Sequence, residues 1–403
     1  MAYGDGADDA ALRAAWHGFC AALSDAGEQV FKDHNPASGL QRADALRFLT
    51  QNLGQAFDLA LETRDPRYPS VHAFCGPHRK LGGDSADFTY QQAWIEGESV
   101  YRIIGERGTS RFFNITVQGP RPSGPGVLHE PFGDVPEANL SGERLVTEAD
   151  GSFEVIVGGP RRGANWLPTT PNSRRLFIRQ GFDSWDERPA TMRIERVDMA
   201  SPRPLPTAEE MVEAVAWAGE FVTGVMRDWP EFPFTYGGVD PDRPNRFPEP
   251  ELTDGDAKRG RAAVNMYWEL GPDEALVVEF DSHEGLWMLT NMGVFFNSMD
   301  FLYRPVSYTP SRTAVDSDGA VRLILAHRDP GYHNWLDTQG FSRGNLTYRH
   351  MLSGSLVMLR THLVEYGQLA EVLPADTATV TAQERTAQMW LRFRAIRRRY
   401  ALL

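Results

Sequence analysis

A five-residue motif that occurs twice constrains the fold most strongly. Residues 165–169 read Asn-Trp-Leu-Pro-Thr, and residues 334–338 read Asn-Trp-Leu-Asp-Thr. An Asp-Gly pair precedes each motif, at 150–151 and at 318–319. The matched spacing predicts that the chain contains two copies of one unit. The offset of about 170 residues is too long for a solenoid, whose repeats run about 20 to 50 residues.

Each copy predicts a unit built from β-strands. Asp-Gly suits a tight turn between strands, and apolar runs follow it at 153–157 and 321–325. An arginine follows each motif at a similar interval, Arg179 in the first copy and Arg349 in the second. We therefore predict an α+β, mainly β fold with two duplicated β-sandwich or jelly-roll-like units.

Helices are predicted outside the β-units. Residues from about 8 to 64 carry apolar side chains at helical spacing, which indicates two amphipathic helices. Thr207 with Glu210 and Thr381 with Glu384 have the spacing of capping boxes, so a linker helix and a final helix start there. The predicted regions are 1–70 (helical N-terminal region), 71–200 (first β-unit), 201–262 (linker helix, then an irregular, lid-like segment from Pro230), 263–355 (second β-unit) and 356–403 (C-terminal helices).

Composition narrows the class of partner. The chain is 41% hydrophobic and 24% charged, which is typical of a globular protein, and its net charge of -13 disfavours nucleic-acid binding. No signal sequence or membrane-spanning run is visible, and only Cys20 and Cys75 are present. We predict a cytoplasmic protein with a small-molecule substrate or ligand and no nucleic-acid or membrane partner. Whether the helices form a homo-oligomer is left open.

The densest polar set surrounds the second motif and has no counterpart in the first copy. In a strand, His327 and Asp329 point to one face, as a histidine and the carboxylate that orients it require. His333 precedes the second motif where the first copy has Ala164. We predict that His333 and His327 act as acid or base and that Asp329 orients them. The predicted substrate-binding residues are Arg349, Tyr332, Asn334, Trp335 and Arg179.

Structural alternatives remain open for all of these residues. Asn and Asp side chains often satisfy turns, and a buried Trp often anchors a corner. Arg179 and Arg349 could instead grip an anion. The residues around His327, and likewise His72, Cys75 and His78, do not form a complete set of metal ligands. We therefore predict no metal, and we predict no organic cofactor. The five arginines between 392 and 399 are interpreted as a solvated helix end.

Several segments resemble a known bacterial family. They are residues 81–84 (Leu-Gly-Gly-Asp), 101–103 (Tyr-Arg-Ile), 150–154 (Asp-Gly-Ser-Phe-Glu) and both Asn-Trp-Leu motifs. Over roughly residues 80–352 the sequence resembles the family called domain of unknown function twelve-fourteen. The resemblance implies a β-sandwich or jelly-roll architecture and carries no activity with it.

Two functions fit these observations. The first is a cofactor-independent enzyme that acts on a hydrophobic or aromatic small molecule by acid–base chemistry, as a hydrolase, lyase or isomerase. The second is a non-catalytic binding or assembly protein for a lipid-like or carbohydrate ligand. The sequence contains no Gly-x-Ser-x-Gly elbow and no Walker motif, which disfavours two large enzyme classes.

Overall fold

Two β-sandwich units and five α-helices dominate the computed structural model, which describes residues 6–122, 128–199, 202–249, 261–351 and 357–401. The predicted mainly β, α+β fold with two units is confirmed. Within the described residues, no helix is both long and apolar enough to cross a bilayer.

The first unit has two sheets that share one core. One sheet has the order β1-β2-β8-β4-β5 and the other has the order β7-β6-β3-β9. Ile103 and Val155 of the smaller sheet pack with Ile115 and Ile178 of the larger one. The strands are β1 (His72–Cys75), β2 (Phe88–Trp94), β3 (Tyr101–Glu106), β4 (Phe112–Gly119), β5 (Val135–Ser141), β6 (Ser152–Val157), β7 (Trp166–Leu167), β8 (Arg175–Gly181) and β9 (Thr191–Arg196).

The second unit repeats this arrangement. Its sheets have the orders β10-β16-β12-β13 and β15-β14-β11-β17. These orders correspond strand by strand to β2-β8-β4-β5 and β7-β6-β3-β9, so the two units share a topology; an ancestral duplication stays a prediction. The strands are β10 (Arg261–Glu269), β11 (Glu274–Asp281), β12 (Leu286–Met292), β13 (Ser307–Tyr308), β14 (Ala320–Ala326), β15 (Trp335–Asp337), β16 (Arg343–Met351) and β17 (Arg360–Glu365).

The first Asn-Trp-Leu motif forms a hydrogen-bonded corner. Asn165 Nδ2 donates to Val146 O at 2.7 Å and to Glu154 O at 3.0 Å, and its Oδ1 accepts from Val146 N at 2.8 Å. The indole Nε1 of Trp166 donates to Gly158 O at 3.1 Å. The motif thereby fixes the short strand β7 parallel to β6.

The second motif makes the equivalent bonds. Asn334 Nδ2 donates to Ala314 O at 2.8 Å and to Arg322 O at 2.9 Å, while its Oδ1 accepts from Ala314 N at 2.9 Å. Trp335 Nε1 donates to Ala326 O at 3.1 Å. In both units the Asn side chain therefore satisfies backbone groups of two neighbouring segments.

Three long helices pack in one apolar cluster with residues of β2, β4, β12 and β16. They are α1 (Gly6–Glu28), α2 (Gly39–Phe57) and α3 (Ala208–Thr235). The predicted capping box is confirmed, because Thr207 Oγ1 accepts from Glu210 N and the Glu210 carboxylate accepts from Thr207 N. The irregular segment predicted from Pro230 begins only after Thr235. Pro230 and Pro233 are buried within the helix, and their apolar contacts outweigh the missing N–H groups.

The C-terminal region ends in a short helix, α4 (Leu369–Val372), and a long one, α5 (Ala382–Ala401). Its predicted capping box is also confirmed, with Glu384 N donating to Thr381 Oγ1 at 3.2 Å. The interpretation of its arginines as a solvated helix end was wrong for Arg392 and Arg399, which are 3% and 2% exposed. Both lie on the face of α5 that packs against the β-units, where the sequence pattern cannot distinguish them from solvated neighbours.

Candidate functional site

His327, a predicted acid or base, has both ring nitrogens engaged by the protein. Nε2 lies 3.0 Å from Gly271 O, and Nδ1 lies 2.7 Å from Thr338 Oγ1. Because a carbonyl only accepts, Nε2 carries the proton and Nδ1 accepts from the threonine hydroxyl. The imidazole therefore joins three segments of the second unit.

His333 lies at the edge of a cleft of about 340 Å³. Its Nε2 is 3.3 Å from Arg312 O, and its Nδ1 is 3.2 Å from Gln388 Nε2. Burial lowers the pKa of His333, so the ring is neutral at pH 7. We call this space the arginine cleft; it is lined in part by Trp185, Ser307, Arg312, His333, Gln388 and Arg392.

Asp329, the predicted orienting carboxylate, bonds to an arginine rather than to either histidine. Arg385 of α5 donates to it from Nε at 2.9 Å and from Nη2 at 3.2 Å. Arg385 also donates to the carbonyl oxygens of Tyr332 and His333. The Tyr332–His333 backbone is thus held by the final helix.

Arg179 and Arg349, the predicted anion-binding arginines, lie on the sheets β1-β2-β8-β4-β5 and β10-β16-β12-β13, whereas the loop of His333 leads into β15 of the other sheet of the second unit. Arg349 is buried in β16 and donates from Nη2 to Gly83 O. Arg179 is buried in β8, with its guanidinium 5.3 Å from the Phe177 ring centroid. The structure does not bring these two arginines together with the His333 loop.

A larger pocket, of about 560 Å³, lies between α1, α3 and the loop at His129. Its wall is mainly apolar and includes Phe19, Trp217 and Phe221. Arg227, Glu130 and Glu220 add charged groups. This combination of apolar lining and few polar groups is typical of small-molecule sites, and we call it the helix pocket.

A histidine–aspartate pair borders the helix pocket. His129 Nδ1 lies 3.1 Å from Asp228 Oδ2, and the same oxygen accepts from His129 N at 2.9 Å. Arg227 Nε donates to the other oxygen, Oδ1, at 2.6 Å. The carboxylate is therefore fixed in orientation by three donors, and it fixes the imidazole in turn.

The charge on Asp228 determines the tautomer of His129. The hydrogen bonds from His129 and Arg227 outweigh burial and lower the pKa of Asp228 to about 2, so it is ionised and only accepts. Nδ1 of His129 therefore carries the proton, and Nε2 presents a lone pair. Burial lowers the pKa of His129 against the opposing effect of Asp228, which keeps the ring neutral at pH 7.

Nε2 of His129 is buried and has no hydrogen-bond partner. The rings of Phe132, Phe221 and Trp229 surround the imidazole, with centroids 5.5, 5.5 and 6.3 Å away. Buried polar atoms are normally paired, so an unpaired basic nitrogen on a residue that lines a pocket marks a functional candidate.

Glycines in α3 allow these groups to meet. A Cβ at Gly224 would lie 2.4 Å from His129 Cβ, and one at Gly219 would lie 3.2 Å from Ala22 Cβ on α1. The absence of a side chain at Gly224 thus lets the His129 loop lie directly on the helix. Sequence reasoning missed His129 and Asp228, which are 99 residues apart. Glycine in the interior of a predicted helix was the available signal of close packing.

No arrangement of three or more His, Cys, Asp or Glu side chains that could hold a metal ion is found in the described part of the chain. The helix pocket is lined by the neutral imidazole of His129, by the exposed Arg227 and by the carboxylates of Glu130 and Glu220, and Asp228 bonds to His129 and Arg227. This set can take a proton from a substrate or from water, which requires no group beyond the side chains present.

Comparisons with known proteins connect the chain to a group without an assigned activity. Residues 85–180, within the first unit, match the family model described as a protein of unknown function, DUF1214. A solved structure of an uncharacterised protein from Burkholderia cenocepacia is 26% identical, covers 88% of this chain and 98% of its own, and superposes with a TM-score of 0.80.

A second solved structure, of a protein from Vibrio parahaemolyticus, is 12% identical and has a TM-score of 0.41 over 85% of this chain and 100% of its own, too low to bear on function. No curated protein matches the sequence. The comparisons therefore support a fold shared with the Burkholderia protein, and similarity of the first unit to the DUF1214 family.

Proposed function

We propose that the protein is a cofactor-independent enzyme that acts on a hydrophobic or aromatic small molecule by acid–base chemistry at the helix pocket. The observation that carries this proposal is the His129–Asp228 pair, whose unpaired Nε2 belongs to a residue lining an apolar pocket of about 560 Å³. The function class is the one predicted from the sequence, whereas the proposed base differs from His333 and His327.

The proposed chemistry is a proton transfer to His129 Nε2. A neutral imidazole whose Nδ1–H is held by a carboxylate accepts a proton at Nε2, and the carboxylate then stabilises the imidazolium. The aromatic rings packed around the imidazole lower the local polarity and strengthen this interaction. Abstraction of a proton from a carbon acid leads to elimination or isomerisation, and abstraction from water leads to hydrolysis.

His327 and His333 support this choice by contrast. Each has both ring nitrogens within hydrogen-bond distance of protein atoms, and Asp329 bonds to Arg385. A substrate would have to break these bonds before either histidine could act. His129 needs no such rearrangement of hydrogen bonds at Nε2.

The test is turnover of a panel of aryl and alkyl esters, β-hydroxy acids and unsaturated ketones, with products identified by liquid chromatography and mass spectrometry. For any compound converted, we expect His129→Gln and Asp228→Asn to lower kcat by at least about 100-fold, because general acid–base catalysis contributes about that much or more. His17→Gln, a matched change at an exposed residue of α1, should leave kcat unchanged.

Two results would contradict the proposed role of His129. Full turnover by a folded His129→Gln variant, together with loss in His333→Gln, would return the catalytic role to the loop of the second unit. A compound that binds tightly and is recovered unchanged from wild-type protein would favour the alternative, a non-catalytic binding protein for a lipid-like or carbohydrate ligand.

A further inference from the structure

Three arginines and one aspartate are buried together where the two β-units meet the final helix. Asp87, which precedes β2, forms an ion pair with Arg312 of the second unit at 2.7 Å between Oδ1 and Nη2. Arg392 and Arg399 of α5 exert further electrostatic stabilisation on the same carboxylate and lower its pKa with Arg312 against the effect of burial. Three guanidiniums and one carboxylate leave an excess of two positive charges.

Two acidic residues near the cluster, Asp183 and Glu187, have hydrogen-bond partners outside it. Asp183 Oδ2 pairs with Arg111, and its Oδ1 accepts from Ser311 N at 2.9 Å. Glu187 accepts from the backbone nitrogens of Asp183 and Ser184. Glu187 keeps its negative charge and favours the charged form of Arg399 through space, but among the described residues the direct ion pair of the cluster is the one between Asp87 and Arg312.

Several donors of the cluster lack acceptors. Arg312 Nη1, Arg392 Nε, and both Nε and Nη1 of Arg399 are buried without a hydrogen-bond partner. Burying a guanidinium is costly unless its charge and its N–H groups are satisfied. Aromatic rings offset part of this cost: Arg312 lies 4.1 Å from the Trp185 ring centroid, and Arg399 lies 3.9 Å from that of Phe182. Neither ring supplies a formal negative charge.

The arginine cleft opens beside this cluster. Arg312 and Arg392 line it, together with the hydroxyl-bearing residues Ser307 and Ser311. Its volume of about 340 Å³ lies within the range of small-molecule sites. Guanidinium groups bind carboxylate and phosphate oxygens in paired hydrogen bonds, so this surface has the donor chemistry of an oxyanion site.

We propose that the arginine cleft binds an oxyanion with two negative charges, a phosphate or dicarboxylate group, at Arg312 and Arg392, and that this anion offsets the excess charge of the cluster. Such an anion bridges the second unit to α5. This site is separate from the helix pocket, and the inference is independent of the function proposed there.

The experiment is isothermal titration of the full chain with inorganic phosphate and, separately, with succinate, alongside thermal unfolding in the same solutions. Sodium chloride of equal ionic strength is the reference. We expect saturable binding and a rise in Tm with at least one of the two dianions, since a ligand that binds the folded state stabilises it. Binding of phosphate alone identifies a phosphate group, and binding of succinate alone identifies a dicarboxylate.

Two substitutions should change affinity in opposite directions. Arg392→Gln lowers the excess charge by one and should weaken binding by at least about tenfold, whereas Asp87→Asn raises it by one and should tighten binding by a similar factor. Arg394→Gln, an exposed change two residues along α5, is the matched control and should bind as wild type. A gain of affinity cannot arise from misfolding, so Asp87→Asn is decisive if Arg392→Gln fails to fold.

The proposal is overturned if neither dianion binds saturably to the wild-type chain. It is also overturned if Asp87→Asn fails to tighten binding, or if Arg394→Gln weakens it as much as Arg392→Gln does.

Discussion

The two Asn-Trp-Leu corners are built alike, but among the residues that the structure describes only the second is bonded to a helix. Asn165 and Asn334 make the same three backbone hydrogen bonds in their own units. The second corner additionally receives Arg385 from α5, which bonds to Asp329 and to the carbonyl oxygens of Tyr332 and His333.

This difference suggests why the second copy is richer in polar residues. Asp329 accepts from Arg385, and Gln388 of α5 contacts His333. The polar residues that occur only in the second copy therefore include those that contact α5. A polar cluster found in one of two similar units can hold another element in place or carry out chemistry. Its hydrogen-bond partners distinguish the two roles.

The largest expected effect comes from removing the arginine that only the second corner receives. Arg385→Ala removes the ion pair with Asp329 and the hydrogen bonds to the 332–333 backbone, so we expect a loss of about 3 kcal/mol in the free energy of unfolding. Urea titration followed by circular dichroism measures it. Arg394→Ala, at an exposed position of α5, should cost far less. Equal losses would show that the contact of Arg385 with the corner does not stabilise the fold.

A smaller effect distinguishes the two asparagines. We expect Asn334→Ala to cost about 2 kcal/mol and Asn165→Ala about 1 kcal/mol, because Asn334 is 4% exposed and leaves backbone groups buried without partners, whereas water reaches the first corner. Chemical unfolding of both variants compares them directly. If Asn165→Ala proved the costlier, burial would not explain how the corners differ.

The two tryptophans should behave alike. Trp166→Phe and Trp335→Phe each remove one indole hydrogen bond of 3.1 Å to a backbone carbonyl, so each should cost about 1 kcal/mol. Thermal unfolding of the pair provides the measurement. A large difference between the variants would contradict the structural equivalence of the corners.

The smallest expected effect is on pH dependence. Burial lowers the pKa of His333 from its usual 6.5, so in acid the folded state binds fewer protons than the unfolded state. Its contribution is therefore complete above pH 6.5 and declines as the pH falls below that value. We expect His333→Gln to reduce the slope of stability against pH below 6.5 by a fraction of a kcal/mol per unit. Unfolding midpoints from pH 7 to 5 report the slope, and an unchanged slope in His333→Gln would refute the expectation.

The sequence predicted those elements whose signals are local. The capping boxes at Thr207 and Thr381 and the two N-terminal helices lie in the structure where the pattern placed them. The repeated motif indicated two units because its residues satisfy backbone groups close in sequence. Pro230 was misleading, since its effect on the helix depends on burial by distant residues.

The candidate sites depend on contacts that sequence periodicity does not encode. His129 and Asp228 meet because Gly224 lets a loop lie on α3, and Asp87 meets Arg312 and α5 across the boundary between units. Arg392 and Arg394 are alike in sequence context but differ in burial because they point to different sides of one helix. Local sequence patterns therefore predicted the positions of helices and strands. Which charged residues lie close together became visible only in the three-dimensional structure.

The burial of Asp87 also has a consequence for the order of folding during synthesis. This carboxylate lies in the first β-unit, yet the guanidiniums around it belong to residues 312, 392 and 399. When the first unit leaves the ribosome, those partners have not yet been translated, so the completed environment of Asp87 cannot form. The last step of assembly must therefore follow translation of the final helix, however early the strands of the first unit pair.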